Sequence, residues 1–261
     1  MSFVTAANAR LFYRWDGPEG LPTLVLSNSL GSTLAMWDPQ IREFSRHFRV
    51  LRYDTRGHGS SDVSPGPYGL ALLARDVLAL LEALELRTVS FCGLSLGGMI
   101  GVWLASHEAG RLERLVLCNT SAQLGDPDLW NSRIESVRRG GMAAVADTVI
   151  ERWFTPGFRQ ANPQIINRIR DMLLGTPPEG YAACAAAIRD MDQRDALKRI
   201  ATPTLVINGA QDPATPPEHG RYIAEHIRGA RLVELETAHL SNVEAAPLFT
   251  RTVLDFLTTS G

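Results

Sequence analysis

The sequence predicts the α/β fold class: a mostly parallel sheet with helices on both faces and an inserted all-helical cap. Three observations predict it. Short β-branched apolar runs alternate with helical periodicity through residues 23–121 and again after residue 203. Residues 122–196 hold no convincing strand but several helix-start signals. Serine, aspartate and histidine stand at the ends of strand-like runs, the edge where open α/β sheets bind ligands. The expected division is a first core part over 1–121, a helical cap over 122–196 and a second core part over 197–261.

Taken in order, residues 3–15 read as two short strands around Ala7-Asn8. Residues 23–29 read as a strand, and 34–46 as a helix with Trp37, Ile41 and Phe44 on one face. A strand is expected at 48–54, then a helix over 70–86 with Leu73, Val77, Leu80 and Leu84 in register. Residues 89–95 make a strand, 96–107 a helix and 112–120 a strand. The insertion offers four short helical patterns. Asp126-Pro127, Asn162-Pro163 and Thr176-Pro177 each set an N-cap residue before a proline, and Thr176 with Glu179 has capping-box spacing. Gly140-Gly141 separates the first of these helices from the second. Strands at 203–209 and 232–235 and a helix over 244–257 complete the chain.

Composition excludes several classes. The 261 residues are 45% hydrophobic and carry a net charge of −2, so nothing draws the chain to nucleic acid or an anionic membrane. The apolar stretch 70–86 is broken by Arg75, Asp76, Glu82 and Glu85, and no membrane span is expected. Residues 1–14 lack a basic segment followed by an apolar core, so no signal peptide is expected. Cys92, Cys118 and Cys184 have no metal-like spacing and read as reduced thiols of a cytoplasmic protein.

The strongest motif is Gly93-Leu94-Ser95-Leu96-Gly97, which fits G-x-S-x-G between a strand and a helix. A serine hydroxyl needs a base and a group to orient that base. Asp212 and His239 each follow a strand on the same edge as Ser95, in the order serine, acid, histidine. The rivals are weaker. His47 precedes a strand, His107 ends a helix, and His219 and His226 fall on what reads as a surface helix. His58 lies at the right edge but inside a glycine-flanked loop, and Glu236 reads as a surface or salt-bridge residue. An oxyanion would take one backbone N–H from Leu96 and one from the loop after the strand ending near Ser29.

Together these residues resemble the α/β-hydrolase fold superfamily over the whole chain. The segment Arg52-Tyr-Asp-Thr-Arg-Gly-His-Gly-Ser-Ser-Asp62 and Asp212 with Pro216 also fit its pattern. By resemblance, Asp54 and Arg56 fix a loop. Ser27-Asn-Ser-Leu-Gly-Ser32, Gly93-Leu-Ser-Leu-Gly-Gly-Met-Ile-Gly101 and Ala187-Ile-Arg-Asp-Met-Asp192 resemble the beta-ketoadipate (3-oxoadipate) enol-lactone hydrolases of bacterial aromatic-ring catabolism. Asn28-Ser29 stands where many relatives have His-Gly.

The resemblance implies that Leu30 supplies the second oxyanion amide. It implies a small lactone substrate bearing a carboxylate, a serine acyl-enzyme, no cofactor and no metal. A cation should then meet the carboxylate. Arg133 lies among Trp130, Ile134 and Val137 on the first cap helix and is the candidate; Arg189 is a rival that reads as structural. Trp153 and Phe154 could line the cap, and Asn28 and Ser29 either bind substrate or shape their loop. The same fold also permits an esterase, a perhydrolase or a carbon–carbon bond hydrolase, and, outside enzymes, a ligand receptor. Dehalogenase and epoxide hydrolase chemistry is disfavoured, because those relatives use a carboxylate where this chain has Ser95.

Overall fold

The computed structural model describes residues 2–259. Eight strands form one sheet: β1 (Ser2–Ala6), β2 (Ala9–Asp16), β3 (Thr23–Ser27), β4 (Arg49–Tyr53), β5 (Val89–Leu94), β6 (Leu112–Cys118), β7 (Thr204–Gly209) and β8 (Arg231–Leu235). Their order is β1-β2-β4-β3-β5-β6-β7-β8. The hairpin of β1 and β2 joins β4 antiparallel, and every pairing from β4 to β8 is parallel. Strands β5 and β7 are buried along their whole length, which is why they read as unbroken apolar runs.

Helices cover both faces. α1 (Asp38–Phe44) packs with α12 (Ala246–Thr258) and α11 (Ser241–Glu244). α2 (Leu70–Ala83), α3 (Leu96–His107) and α9 (Arg194–Leu197) pack together, and α10 (Pro217–His226) lies against β7, β8 and α9. The insertion contains α4 (Pro127–Gly140), α5 (Ala146–Trp153), α6 (Pro156–Ala161), α7 (Pro163–Leu174) and α8 (Pro178–Asp190). Gln193 N–H donates to the Ala122 carbonyl at 2.8 Å, which brings the two ends of this segment together.

The chain returns to the middle of the sheet at β3, which has β4 on one side and β5 on the other. Ser27 at the end of β3 pairs in register with Gly93 of β5. The loop after β3 and the turn after β5 therefore leave the sheet side by side, at a topological switch point.

Several local expectations change. The helix expected over 34–46 is split into a 3₁₀ turn, Leu34–Trp37, and α1, because Pro39 starts a new helix. The helix expected over 244–257 is found as α12, and the short α11 precedes it. The insertion has a fifth α-helix, α6, whose start is capped by Thr155 accepting from Phe158 N–H. The Thr176–Glu179 capping box is not formed. α8 begins at Pro178, and the Thr176 hydroxyl donates to the Gly31 carbonyl at 3.2 Å. Asn162 makes no side-chain cap either; its amide donates to the Phe158 carbonyl. Asp126 does cap α4, accepting from Asp128 N–H.

Candidate active site

Ser95 occupies the turn between β5 and α3 with φ 58° and ψ −117°, a strained conformation for a residue with a side chain. Its neighbours must be glycine for steric reasons. A Cβ on Gly97 would lie 2.2 Å from the Ser27 carbonyl oxygen, and one on Gly93 would lie 2.2 Å from that of Gly97. The turn is held by backbone bonds: Ser95 N–H donates to the Cys118 carbonyl at 2.9 Å, and the Thr120 hydroxyl donates to the Ser95 carbonyl at 2.7 Å.

Asp212 and His239 follow β7 and β8 and meet 2.8 Å apart, through Asp212 Oδ2 and His239 Nδ1. The carboxylate is fully occupied. Oδ1 accepts the N–H groups of Ala214 and Thr215, and Oδ2 also accepts the Thr215 hydroxyl at 2.7 Å and the Asn119 amide at 3.0 Å. Burial alone would push its pKa up. The charge of His239 and the hydrogen bonds from His239, Asn119 and Thr215 outweigh that and hold it below the usual carboxylate value. The acid is thus ionised and can only accept, which makes His239 Nδ1 the protonated nitrogen and leaves Nε2 as the acceptor. Ser95 Oγ makes no hydrogen bond to the imidazole, although both residues line one cavity. Such contacts often form only when substrate is present.

Two backbone donors open beside Ser95. Neither the Leu30 nor the Leu96 N–H has an acceptor among the described residues. Leu96 starts α3, where the first amides are free by construction. Leu30 is set by its neighbours. His58 Nε2 accepts the Gly31 N–H at 2.9 Å, and Asp54 Oδ1 accepts the Leu34 N–H at 2.8 Å. Burial lowers the His58 pKa to about 4, so its imidazole is neutral and can accept. Arg56 pairs with buried Asp76 at 2.5 Å and fixes the same loop from below. Asn28 does not reach the cavity. Its amide donates to the Tyr53 carbonyl at 2.7 Å and its oxygen accepts Trp37 Nε1–H at 3.0 Å, so both ends are consumed in shaping the loop. As a candidate substrate ligand Asn28 is therefore corrected to a loop-shaping residue.

The cavity is about 520 Å³ and extends from Ser95 to the inserted helices. Ser29, Trp130, Arg133 and Trp153 line it. Phe154 is fully buried and stacks on Phe158 instead. Arg189 lies outside, bound to Asp190 and Asn131. The Arg133 guanidinium sits 5.4 Å from the Trp130 ring centre and 5.6 Å from that of Tyr181. Arg152, which the sequence reading did not single out, also lines the cavity. Neither arginine pairs with a carboxylate among the described residues. Arg152 shares α5 with Trp153, and only the packing of α5 against the rest of the insertion brings it to the cavity. His219 lines the cavity as well, contrary to its reading as a surface residue: the first turn of α10 faces inward.

Residues 22–246 match the family model described as alpha/beta hydrolase fold. The chain is 42% identical to 3-oxoadipate enol-lactonase 2 of Acinetobacter baylyi, over 96% of this chain and 94% of that protein. Among solved structures, the enol-lactonase from Burkholderia xenovorans LB400 superposes with a TM-score of 0.98 at 47% identity, covering 99% of this chain and 100% of that one. A thermophilic esterase from Thermogutta terrifontis gives 0.91 at 31% identity, covering 98% and 97%. The chain therefore belongs to the alpha/beta hydrolase fold family and is a carboxylic ester hydrolase related to the enol-lactonases.

Proposed function

We propose that the protein opens the beta-ketoadipate enol-lactone ring to beta-ketoadipate (3-oxoadipate) through an acyl-enzyme on Ser95. Ser95 Oγ attacks the lactone carbonyl while His239 Nε2 takes its proton. Asp212 holds the imidazole and stabilises its charge. The carbonyl oxygen becomes an oxyanion and is met by the Leu30 and Leu96 N–H groups. Such donors in a dry site are worth on the order of 10²–10³ in rate each. Collapse breaks the ring C–O bond. The departing oxygen is enolic, a better leaving group than an alkoxide, and it takes the proton from His239. Water, deprotonated by His239, then attacks the acyl carbonyl and releases a carboxylate and free Ser95.

The observation that carries this reading is the pair of guanidiniums, Arg133 and Arg152, that have no carboxylate partner among the described residues and line the cavity that holds Ser95 and His239. An esterase for neutral substrates would gain nothing from two unneutralised cations there. A lactone bearing a carboxylate matches them, and Arg133 can offer it two parallel N–H bonds. Residues 122–196 act in this scheme as the cap that supplies recognition, with the core supplying chemistry. The test is turnover of the enol-lactone beside neutral aryl esters. Ser95→Ala should lose about 10⁴-fold or more in kcat on both. Arg133→Ala should raise KM for the lactone about 10- to 100-fold and leave KM for the neutral ester nearly unmoved. Equal KM effects on both substrates, or fast ester turnover with no lactone turnover, would overturn the assignment.

A further inference from the structure

His219 lies on the first turn of α10, and its ring lines the same cavity as Ser95 and His239. Its Nδ1 is 2.7 Å from Ser121 Oγ. That hydroxyl has one proton, which it donates to the Gln123 carbonyl at 2.5 Å; it also accepts the Gln123 N–H at 3.1 Å. With its proton committed, Ser121 can only accept from the imidazole. Nδ1 therefore carries the hydrogen, and in the neutral ring Nε2 is an acceptor. Nε2 has no partner among the described residues. Ser121 is buried, so water does not compete for the contact.

The other peripheral histidines are different. His107 and His226 bind carbonyls of their own helices through Nδ1, at 3.0 and 2.8 Å, and stack on Trp103 and Tyr222. Neither lines the cavity. His219 alone of the three has one nitrogen pinned by a buried hydroxyl while its ring borders the reaction space.

The triad does not use this residue, yet ring opening leaves a step beyond acyl transfer. The enol must lose a proton from oxygen and gain one on carbon to become the ketone. We propose that His219 catalyses this tautomerisation: Nε2 takes the enol O–H proton as a water molecule delivers one to the far carbon of the double bond. The imidazolium then returns its proton to the hydroxide so formed. The O–H bond breaks, a C–H bond forms, the double bond moves from C=C to C=O, and water and imidazole are regenerated. The step rests on the enol-lactone reading above, because a simple ester releases no enol.

The test follows two rates in D₂O, lactone loss and ketone appearance, together with the face of the new methylene that carries deuterium. His219→Asn places an amide donor where Nδ1 stood, so the contact to Ser121 is kept and Nε2 is deleted. In the wild type the two rates should match, with deuterium on one face. In His219→Asn, ketone appearance should lag lactone loss by about tenfold or more, with deuterium on both faces as the released enol ketonises in solution. Ser121→Ala, which loosens the ring but keeps Nε2, should show a smaller lag. Rates that stay matched in His219→Asn with label on one face would overturn the proposal. So would two rates that fall together, which would mark a structural role. A wild type that does not consume the lactone at all would overturn the enol-lactone reading, a result separable from either of these.

Discussion

The two sides of the cavity are built on opposite principles. On the sheet side the groups that position the site are committed. Asp212 accepts five hydrogen bonds, Ser95 N–H and C=O are both engaged, and Asn28 is consumed in its loop. On the cap side, Arg133 and Arg152 line the space without a carboxylate partner among the described residues. Chemistry needs groups fixed before the substrate arrives, because reorganisation during the reaction costs rate. Recognition needs groups left free, because a cation already neutralised gains little from a ligand. Paired groups thus position Ser95 and Asp212, the Leu30 and Leu96 N–H groups stay open beside them, and cations without a carboxylate partner among the described residues stand at the other end.

That contrast can be broken at several points, and the largest effect lies on the committed side. Gly97→Ala forces a Cβ to within 2.2 Å of the Ser27 carbonyl, and backbone cannot yield there as a flexible side chain could. A loss of several kcal/mol is expected, read as a fall in Tm, with activity lost even in the fraction that folds. Retained Tm and activity would mean that the elbow is softer than its geometry implies.

Next is His58, which as a neutral acceptor anchors the loop that carries Leu30. Its pKa is about 4 when folded, against an ordinary value of 6.5. As pH falls below 6.5 the unfolded chain takes up a proton that the folded chain refuses. Stability is therefore lost between about 6.5 and 4 and levels off below. At about 1.4 kcal/mol per unit this amounts to about 3.5 kcal/mol. Denaturant unfolding at a series of pH values should show that slope in the wild type and lose it in His58→Gln. Identical slopes would remove His58 from the account.

The smaller effects belong to the free groups. Arg152→Ala should raise KM for a carboxylate-bearing lactone by less than Arg133→Ala does, roughly 3- to 10-fold, because its side chain is more exposed to solvent. An effect larger than that of Arg133 would reverse their roles. Ser29→Ala, in the loop after β3, should move stability by no more than about 0.5 kcal/mol, since its hydroxyl has no hydrogen-bond partner among the described residues. A large drop in Tm would place Ser29 with the committed groups.

Legibility in the sequence follows the same line. The elbow is a local constraint, so its spacing announces it, and the strand ends carrying Asp212 and His239 follow from alternation alone. The fold class and the Asp126 cap of α4 were legible for the same reason. Arg152 and His219 were not, because periodicity reports which residues share a helix face but not what that face meets. α10 presents Glu218, Arg221 and Glu225 to solvent while His219, on its first turn, lines the cavity. Thr176 misled for a related reason. A capping box is a local pattern, but the Gly31 carbonyl, far away in sequence, took the hydroxyl instead. Asn28 remained open because a buried amide and a ligand-binding amide look alike until their partners are visible.

The clasp between Gln193 and Ala122 has a consequence for how such chains diversify. The whole helical segment leaves and re-enters the core at two points joined by one backbone hydrogen bond. A segment whose ends already touch can be lengthened, shortened or exchanged for another without rerouting any strand of the sheet. Under the proposed division of labour, such an exchange would leave Ser95 in place and change only the residues that stand above it.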